Sequence, residues 1–315
     1  MYYGSGKYTY KLIDEWAELP KGWAFNDCAG IAIDANDKIY ALSRSVHPVT
    51  IWNRDGRLLG IWEEGSFSNR PHEATFGPDG SVWCADDTAH TVTKFTTEGK
   101  VLLVLGTRDQ PSDSGYVQTL GLDSIQRGAG PFNRPTGVQV SSEGIIFVSD
   151  GYGNARVHKF GPDGKLIKSW GEPGIGPGQF RLVHNVCLDT KGRVLVCDRE
   201  NNRVQIFDMD GKFITQWTDL NRPTDIFVDK AGVIYISELH QRISIFLNDG
   251  KLLTRLSNKI EGDPWKDTNL AMKVEMVAPH TLAVDSKGDI YIGDVAKTMG
   301  KVDRGTRVIR KFVRV

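Results

Sequence analysis

Apolar and polar positions alternate in short runs along most of the chain. The clearest runs are AGIAIDANDKIYALS from Ala29, HEATFGPDGSVWCAD from His72, TGVQVSSEGIIFVSD from Thr136, HNVCLDTKGRVLVCD from His184, TDIFVDKAGVIYISE from Thr224 and HTLAVDSKGDIYIGD from His280. Each reads as a strand, an Asp/Gly turn and a second strand ending in a polar residue. A polar turn, a third strand ending in Phe and a fourth strand follow in most copies. Period-2 alternation, β-branched residues and frequent Gly-containing turns predict short antiparallel strands, and a four-strand unit repeating at about 40–50 residues is the mark of a propeller blade. Six copies predict an all-β fold, a six-bladed β-propeller in one domain over residues 1–315. The two widest spacings mark loop insertions at about 107–130 and 258–275, and long loops on a rigid scaffold tend to carry function. The last copy ends after three strands at RVIRKFVRV. The amino-terminal TYKLIDEWAELP resembles the fourth strands GKLIKSWGEP and GKFITQWTD, so it is expected to complete the last blade and close the ring.

Composition narrows the function classes. Lys plus Arg and Asp plus Glu number 39 each, so no global field draws the chain to nucleic acid or to an anionic membrane. Neither partner is expected. Cys28, Cys84, Cys187 and Cys197 form no CxxC knuckle, and three of them sit in apolar runs, where a thiol behaves as a small hydrophobe. The first residues show no basic segment followed by an apolar one, and no run is long enough to span a bilayer. A cytoplasmic protein, a monomer or small homo-oligomer, is the expectation.

Chemistry enters at the first position of each copy. In a propeller the first strand of every blade lies nearest the axis, so these positions converge. They hold Ala29, His72, Thr136, His184, Thr224 and His280. With 7 histidines in 315 residues, three in six equivalent slots, in strict alternation, is an improbable coincidence. Any one of them could be a structural histidine bonded to a carbonyl. Together they give three ligands about 120° apart and leave a fourth position open, the pattern of a catalytic zinc. His47, His90, His158 and His240 fall in turns or third strands and read as structural.

Between Val148 and Trp217 the segments SDGYGNAR, GPGQF shortly before His184, and VCDRENNRVQIF resemble the catalytic core of peptidyl-α-hydroxyglycine α-amidating lyase, a six-bladed propeller of the NHL-repeat type. RPHEATFGPDGSVWCADD and APHTLAVDSKGDIYIGD are similar to that family's other two histidine strands, and the likeness spans about residues 25–315. The resemblance implies Zn2+ held by His72, His184 and His280, a catalytic tyrosine at Tyr152, and functional arginines at Arg199 and, on a shorter match, Arg44. It implies a lyase that cleaves a carbinolamide- or hemiaminal-type C–N (or C–O) bond, similar to the amidating lyase that releases glyoxylate. The residue types suit that chemistry. An open zinc acidifies a bound hydroxyl, a tyrosine can act as general base, and guanidinium forks hold a carboxylate or a developing negative charge. A small-molecule substrate bearing a carboxylate is therefore expected.

The sequence also departs from the family. Thr281 stands where the family has an Asp that serves a structural calcium, and a neutral hydroxyl is a weaker ligand for a hard cation, which weakens the case for Ca2+. Gly153 replaces a cysteine of the family's disulfide. Glu73 and Asn185 follow the first two histidines where small residues are usual; with Thr281 they are candidates for shaping the substrate pocket. Two other functions fit the repeats: a non-catalytic NHL propeller binding a protein or RNA, and a propeller lactonase, which usually relies on carboxylate-bound calcium.

Overall fold

A computed structural model describes residues 1–62 and 67–315. The fold is all-β, a six-bladed β-propeller, with short helical turns confined to connections. The innermost strands are Cys28–Ile33, Pro71–Phe76, Pro135–Val140, Val183–Leu188, Pro223–Val228 and Pro279–Val284. The second strands are Ile39–Ser43, Val82–Asp86, Ile146–Asp150, Val194–Asp198, Ile234–Glu238 and Ile290–Asp294. Third strands run Val49–Trp52, Thr91–Phe95, Arg156–Phe160, Arg203–Phe207, Arg242–Phe246 and Ile309–Arg314. Fourth strands run Leu58–Ile61, Val101–Leu105, Leu166–Trp170, Phe213–Trp217, Leu252–Ser257 and, in the last sheet, Tyr8–Ile13. That amino-terminal strand pairs antiparallel with Ile309–Arg314, Tyr10 facing Arg314 and Ile13 facing Lys311, and Tyr2–Ser5 adds a fifth strand outside it.

The chain forms two compact units. One comprises residues 67–228 and the other residues 1–66 with 229–315. In the first, side chains from successive blades fill the space between sheets: Trp83, Val92 and Leu105 meet Phe132, Val138, Val148 and Phe160. A second cluster joins Phe147, Val157 and Trp170 to Phe180, Val186, Val196 and Phe207. In the other unit Trp16, Phe25, Ile31 and Trp52 pack with Tyr291 and Ile309. Fully burying each such side chain contributes about 1.5–3 kcal/mol, which makes the sheets rigid supports for whatever they carry. The four cysteines are buried, and burial pushes the Cys187 thiol up to about 12. No described helix is long and apolar enough to cross a membrane.

The two insertions differ in use. Residues 258–275 contain the short helix Thr268–Lys273, begun by Asp267, whose carboxylate accepts the N–H of Asn269 and of Leu270. Residues 107–130 lie in the 67–228 unit and fold back onto its turns. Ser114 Oγ donates to Gly153 O, and Asn133 Nδ2 donates to Ser112 O at 2.9 Å.

Candidate metal centre and active site

Each of the three histidines is the extra residue of a β-bulge. Pro71 pairs with Asp86 and Glu73 with Ala85, so His72 has no residue opposite it. His184 stands likewise between Val183, paired with Asp198, and Asn185, paired with Cys197; His280 stands between Pro279 and Thr281. Ala29 and Thr136 occupy the same bulge in their sheets. A bulge breaks the two-residue alternation and re-aims the inserted side chain.

Within the 67–228 unit, His72 Nδ1 lies 2.6 Å from Thr136 O and His184 Nδ1 2.7 Å from Thr224 O. In the other unit His280 Nδ1 lies 2.9 Å from Ala29 O. A carbonyl oxygen can only accept, so Nδ1 carries the hydrogen, and in the neutral ring Nε2 keeps its lone pair. This tautomer, locked by a backbone carbonyl, is the form in which imidazole ligates a metal. All three rings are buried, and His72, His184 and His280 offer ligand atoms within 4.8 Å of one another. Three oriented imidazole nitrogens with no carboxylate among them fit zinc and do not fit calcium, which takes oxygen ligands.

A second repeat position is fixed by one backbone hydrogen bond, from a residue just past the second strand to the residue two before the bulge. It runs from Arg44 N to Asp27 O (2.9 Å), Asp87 N to Arg70 O (3.3 Å), Tyr152 N to Arg134 O (3.4 Å), Arg199 N to Leu182 O (2.9 Å) and Val295 N to Ala278 O (3.1 Å). Tyr152, Arg199 and Arg44 are thus structural equivalents. The aspartates ending the second strands brace the chain entering the bulge: Asp150 accepts Asn133 N at 2.9 Å, Asp198 accepts Arg181 N at 3.0 Å and Asp294 accepts Val277 N at 2.7 Å. Tyr152 reaches its place through one additional residue, Gly151. A Cβ there would fall 2.0 Å from Val183 O, so only glycine lets the turn lie against the strand that presents His184.

The Tyr152 oxygen lies 3.4 Å from His72 Nε2 and 3.3 Å from His184 Nε2, and Arg199 Nη1 donates to it at 3.1 Å. Guanidinium carbons of Arg134, Arg199 and Arg70 lie 5.2, 5.4 and 5.8 Å from the centre of its ring. Burial by itself lowers the Arg199 pKa, but Tyr152 and Glu200 more than reverse this and hold it above the usual range. Arg134 follows the same pattern through Asp87, which accepts from its Nε at 2.6 Å and its Nη2 at 3.1 Å. Arg134 Nη1 donates to Tyr116 OH at 2.9 Å, which brings the 107–130 insertion to the site.

Sequence reading missed Arg70, Asp87 and Arg134. The signal was present: Asn-Arg-Pro occurs at 69–71, 133–135 and 221–223, each time leading into a first strand. His90, expected to be a plain turn residue, accepts Arg134 N at Nδ1 over 3.1 Å, and Arg134 has φ 64°. The three residues that follow the histidines turn into the sheets. Glu73 accepts the N–H of Ala74 and, after burial, is the next cause raising the Cys84 thiol. Asn185 packs against Gly137, its Nδ2 3.1 Å from where a Cβ there would lie, and Thr281 Oγ1 accepts Ile31 N at 3.0 Å. Arg44, in the unit that holds His280, forms an ion pair with Asp27 at 3.5 Å and donates to Thr298 Oγ1 at 3.2 Å.

The model of the NHL repeat matches residues 132–160 and 180–207. NHL repeat-containing protein 3 of Mus musculus is 29% identical over 336 residues, 97% of this chain and 86% of that protein. Peptidyl-glycine alpha-amidating monooxygenase B of Xenopus laevis is 30% identical over 71% of this chain and 25% of its own length. Peptidyl-alpha-hydroxyglycine alpha-amidating lyase 1 of Drosophila melanogaster is 34% identical over 51% of this chain and 29% of its own length. Among solved structures, a gluconolactonase of Xanthomonas campestris superposes with a TM-score of 0.64 at 13% identity, covering 96% of this chain and 89% of its own. The WD40 β-propeller domain of Doa1 superposes with a TM-score of 0.59 at 15% identity, covering 97% of each chain. At such identities these two show the fold alone.

Proposed function

We propose that this chain, which carries NHL repeats and has amidating lyases among its homologues, is a zinc-dependent lyase that cleaves the C–N bond of a carbinolamide bearing a carboxylate. The observation that carries the reading is the locked tautomer: three buried histidines each give Nδ1–H to a backbone carbonyl and keep Nε2 for a common centre. His72, His184 and His280 would hold zinc, which as a Lewis acid supplies polarisation of a substrate oxygen.

The chain's own groups account for the proton movements. Tyr152 would take the hydroxyl proton of the carbinol carbon, with Arg199 donating to the phenol oxygen. The O–H pair becomes the second bond of a carbonyl, the C–N bond breaks, and the nitrogen leaves with a proton returned from Tyr152. An amide and an α-keto or aldehyde acid result, with no oxidant or reductant required. Guanidiniums close to Tyr152 oppose negative charge as it develops.

The test is zinc content together with turnover. Protein purified without a histidine tag is expected to hold about one zinc per chain and to release glyoxylate from an N-acyl-α-hydroxyglycine. Tyr152→Phe should keep the zinc and lose about 10²–10⁴ in kcat. Absence of bound metal even after zinc is supplied, with His72→Ala behaving as wild type, would leave a propeller that binds a partner without catalysis.

A further inference from the structure

One guanidinium beside the phenol has no task in the chemistry above. Arg70 is tethered by one edge only: Nε donates to Asp87 Oδ2 at 2.9 Å, while Nη1 and Nη2 have no hydrogen-bond partner among the described residues. Its side chain is 32% exposed, whereas that of Asp87 is fully buried. Arg134 differs, since Asp87 takes its Nε and Nη2 and Tyr116 its Nη1.

We propose that Arg70 receives the substrate's carboxylate and that Asp87 is the positioning residue that aims its fork; this rests on the lyase reading of the same site. Three observations carry it. The open Nη pair is the planar double donor that matches a carboxylate. The Arg70 guanidinium carbon stands 5.8 Å from the centre of the Tyr152 ring, whose hydroxyl lies against the histidine Nε2 atoms, so an anion there is beside the reacting centre. Arg70, Arg134 and Arg199, with guanidinium carbons 5.8, 5.2 and 5.4 Å from the centre of the Tyr152 ring, face the carboxylates of Asp87 and Glu200, an excess of one positive charge on a chain whose formal net charge is zero. That local excess selects an anionic ligand.

Calorimetric titration with N-acetylglycine and N-acetylglycinamide, which differ in the charge of one end, tests the assignment. Wild type should bind the acid about 10- to 100-fold more tightly than the amide. Arg70→Gln should bring the ratio close to one without changing the unfolding midpoint, and Arg70→Lys, a charge without a fork, should fall between. Asp87→Asn should lower the ratio in wild type yet leave it unchanged in the Arg70→Gln background, which a purely structural role would not do. Equal binding of acid and amide by wild type, or a wild-type ratio in Arg70→Gln, would overturn the assignment. Zinc content on the same samples separates the two ideas. Discrimination without zinc or turnover removes the lyase and keeps the anion site; turnover with an unaltered ratio in Arg70→Gln does the reverse.

Discussion

His184→Ala gives the most direct reading of the metal centre, because its cost divides into two measurable parts. The first belongs to the fold alone. The ring is 1% exposed, and its Nδ1–H reaches Thr224 O at 2.7 Å. Removing that buried donor and leaving a small cavity should cost about 2–4 kcal/mol. The second part belongs to the ligand. Free zinc at about a thousand times its dissociation constant adds about 4.1 kcal/mol to the folded state. An unfolding entropy of about 2.1 cal/mol/K per residue over 315 residues is about 0.66 kcal/mol/K, so zinc should raise the wild-type midpoint by about 6 °C. The metal-free variant should unfold about 3–6 °C below metal-free wild type and show less than about a third of the zinc response. Thermal scans of chelator-treated protein, with and without added zinc, measure both parts, and His240→Ala, outside the group of three, should respond as wild type does. An equal zinc-induced rise in His184→Ala would refute the assignment of this nitrogen.

Two further perturbations test the supports of the site. Gly151→Ala places a Cβ 2.0 Å from Val183 O and must shift the chain that presents His184; a loss of about 3 kcal/mol or more is expected by denaturant unfolding, and a loss under about 1 kcal/mol would show that the turn can yield. His90 has a folded-state pKa held below its ordinary value, chiefly by burial. Its contribution is therefore fully present above about pH 6.5 and is lost as pH falls through the depressed value, where Nδ1 can no longer accept Arg134 N. His90→Asn, at a residue with φ 59° that Asn tolerates, should lose less stability between pH 7 and pH 5 than wild type; an identical loss would remove His90 from the account.

Strand alternation and turn spacing made the blades legible, because a sheet with both faces packed leaves a strong period in the sequence. The alternating histidines were legible for the same reason, standing at one position of a repeat. The aim of those side chains was not. His72, His184 and His280 are inserted residues of bulges, and a pattern that assumes unbroken pairing cannot show where an inserted residue points or which way Glu73, Asn185 and Thr281 then turn. The equivalence of Tyr152 with Arg199 was hidden by Gly151, which shifts it one place along the chain while the backbone hydrogen bond to Arg134 O restores its position. Arg70 and Arg134 were passed over because a charged residue before Pro reads as a surface turn; only Asp87, buried between them, makes them part of the site.

The alternation itself has a physical basis, and it carries a last prediction. Two residues in the slots between the histidines, Ala29 and Thr136, share no side-chain chemistry, yet each offers its backbone carbonyl to a histidine Nδ1, as Thr224 also does. If the tautomer is set by backbone, the side chain at such a slot is free to change. Thr136 Oγ1 donates to Val183 O at 2.7 Å and lies 2.9 Å from Ser149 Oγ, so Thr136→Ala should lose about 1–2 kcal/mol of stability. It keeps Thr136 O, so zinc affinity should stay within about threefold of wild type, well short of the 10–100-fold loss that follows removal of a ligand's outer partner. Zinc titration against a competing chelator decides between these. A tenfold weaker site in Thr136→Ala would mean that the hydroxyl, through its hold on the Val183 carbonyl beside His184, sets the centre's geometry, and that the backbone carbonyl alone does not.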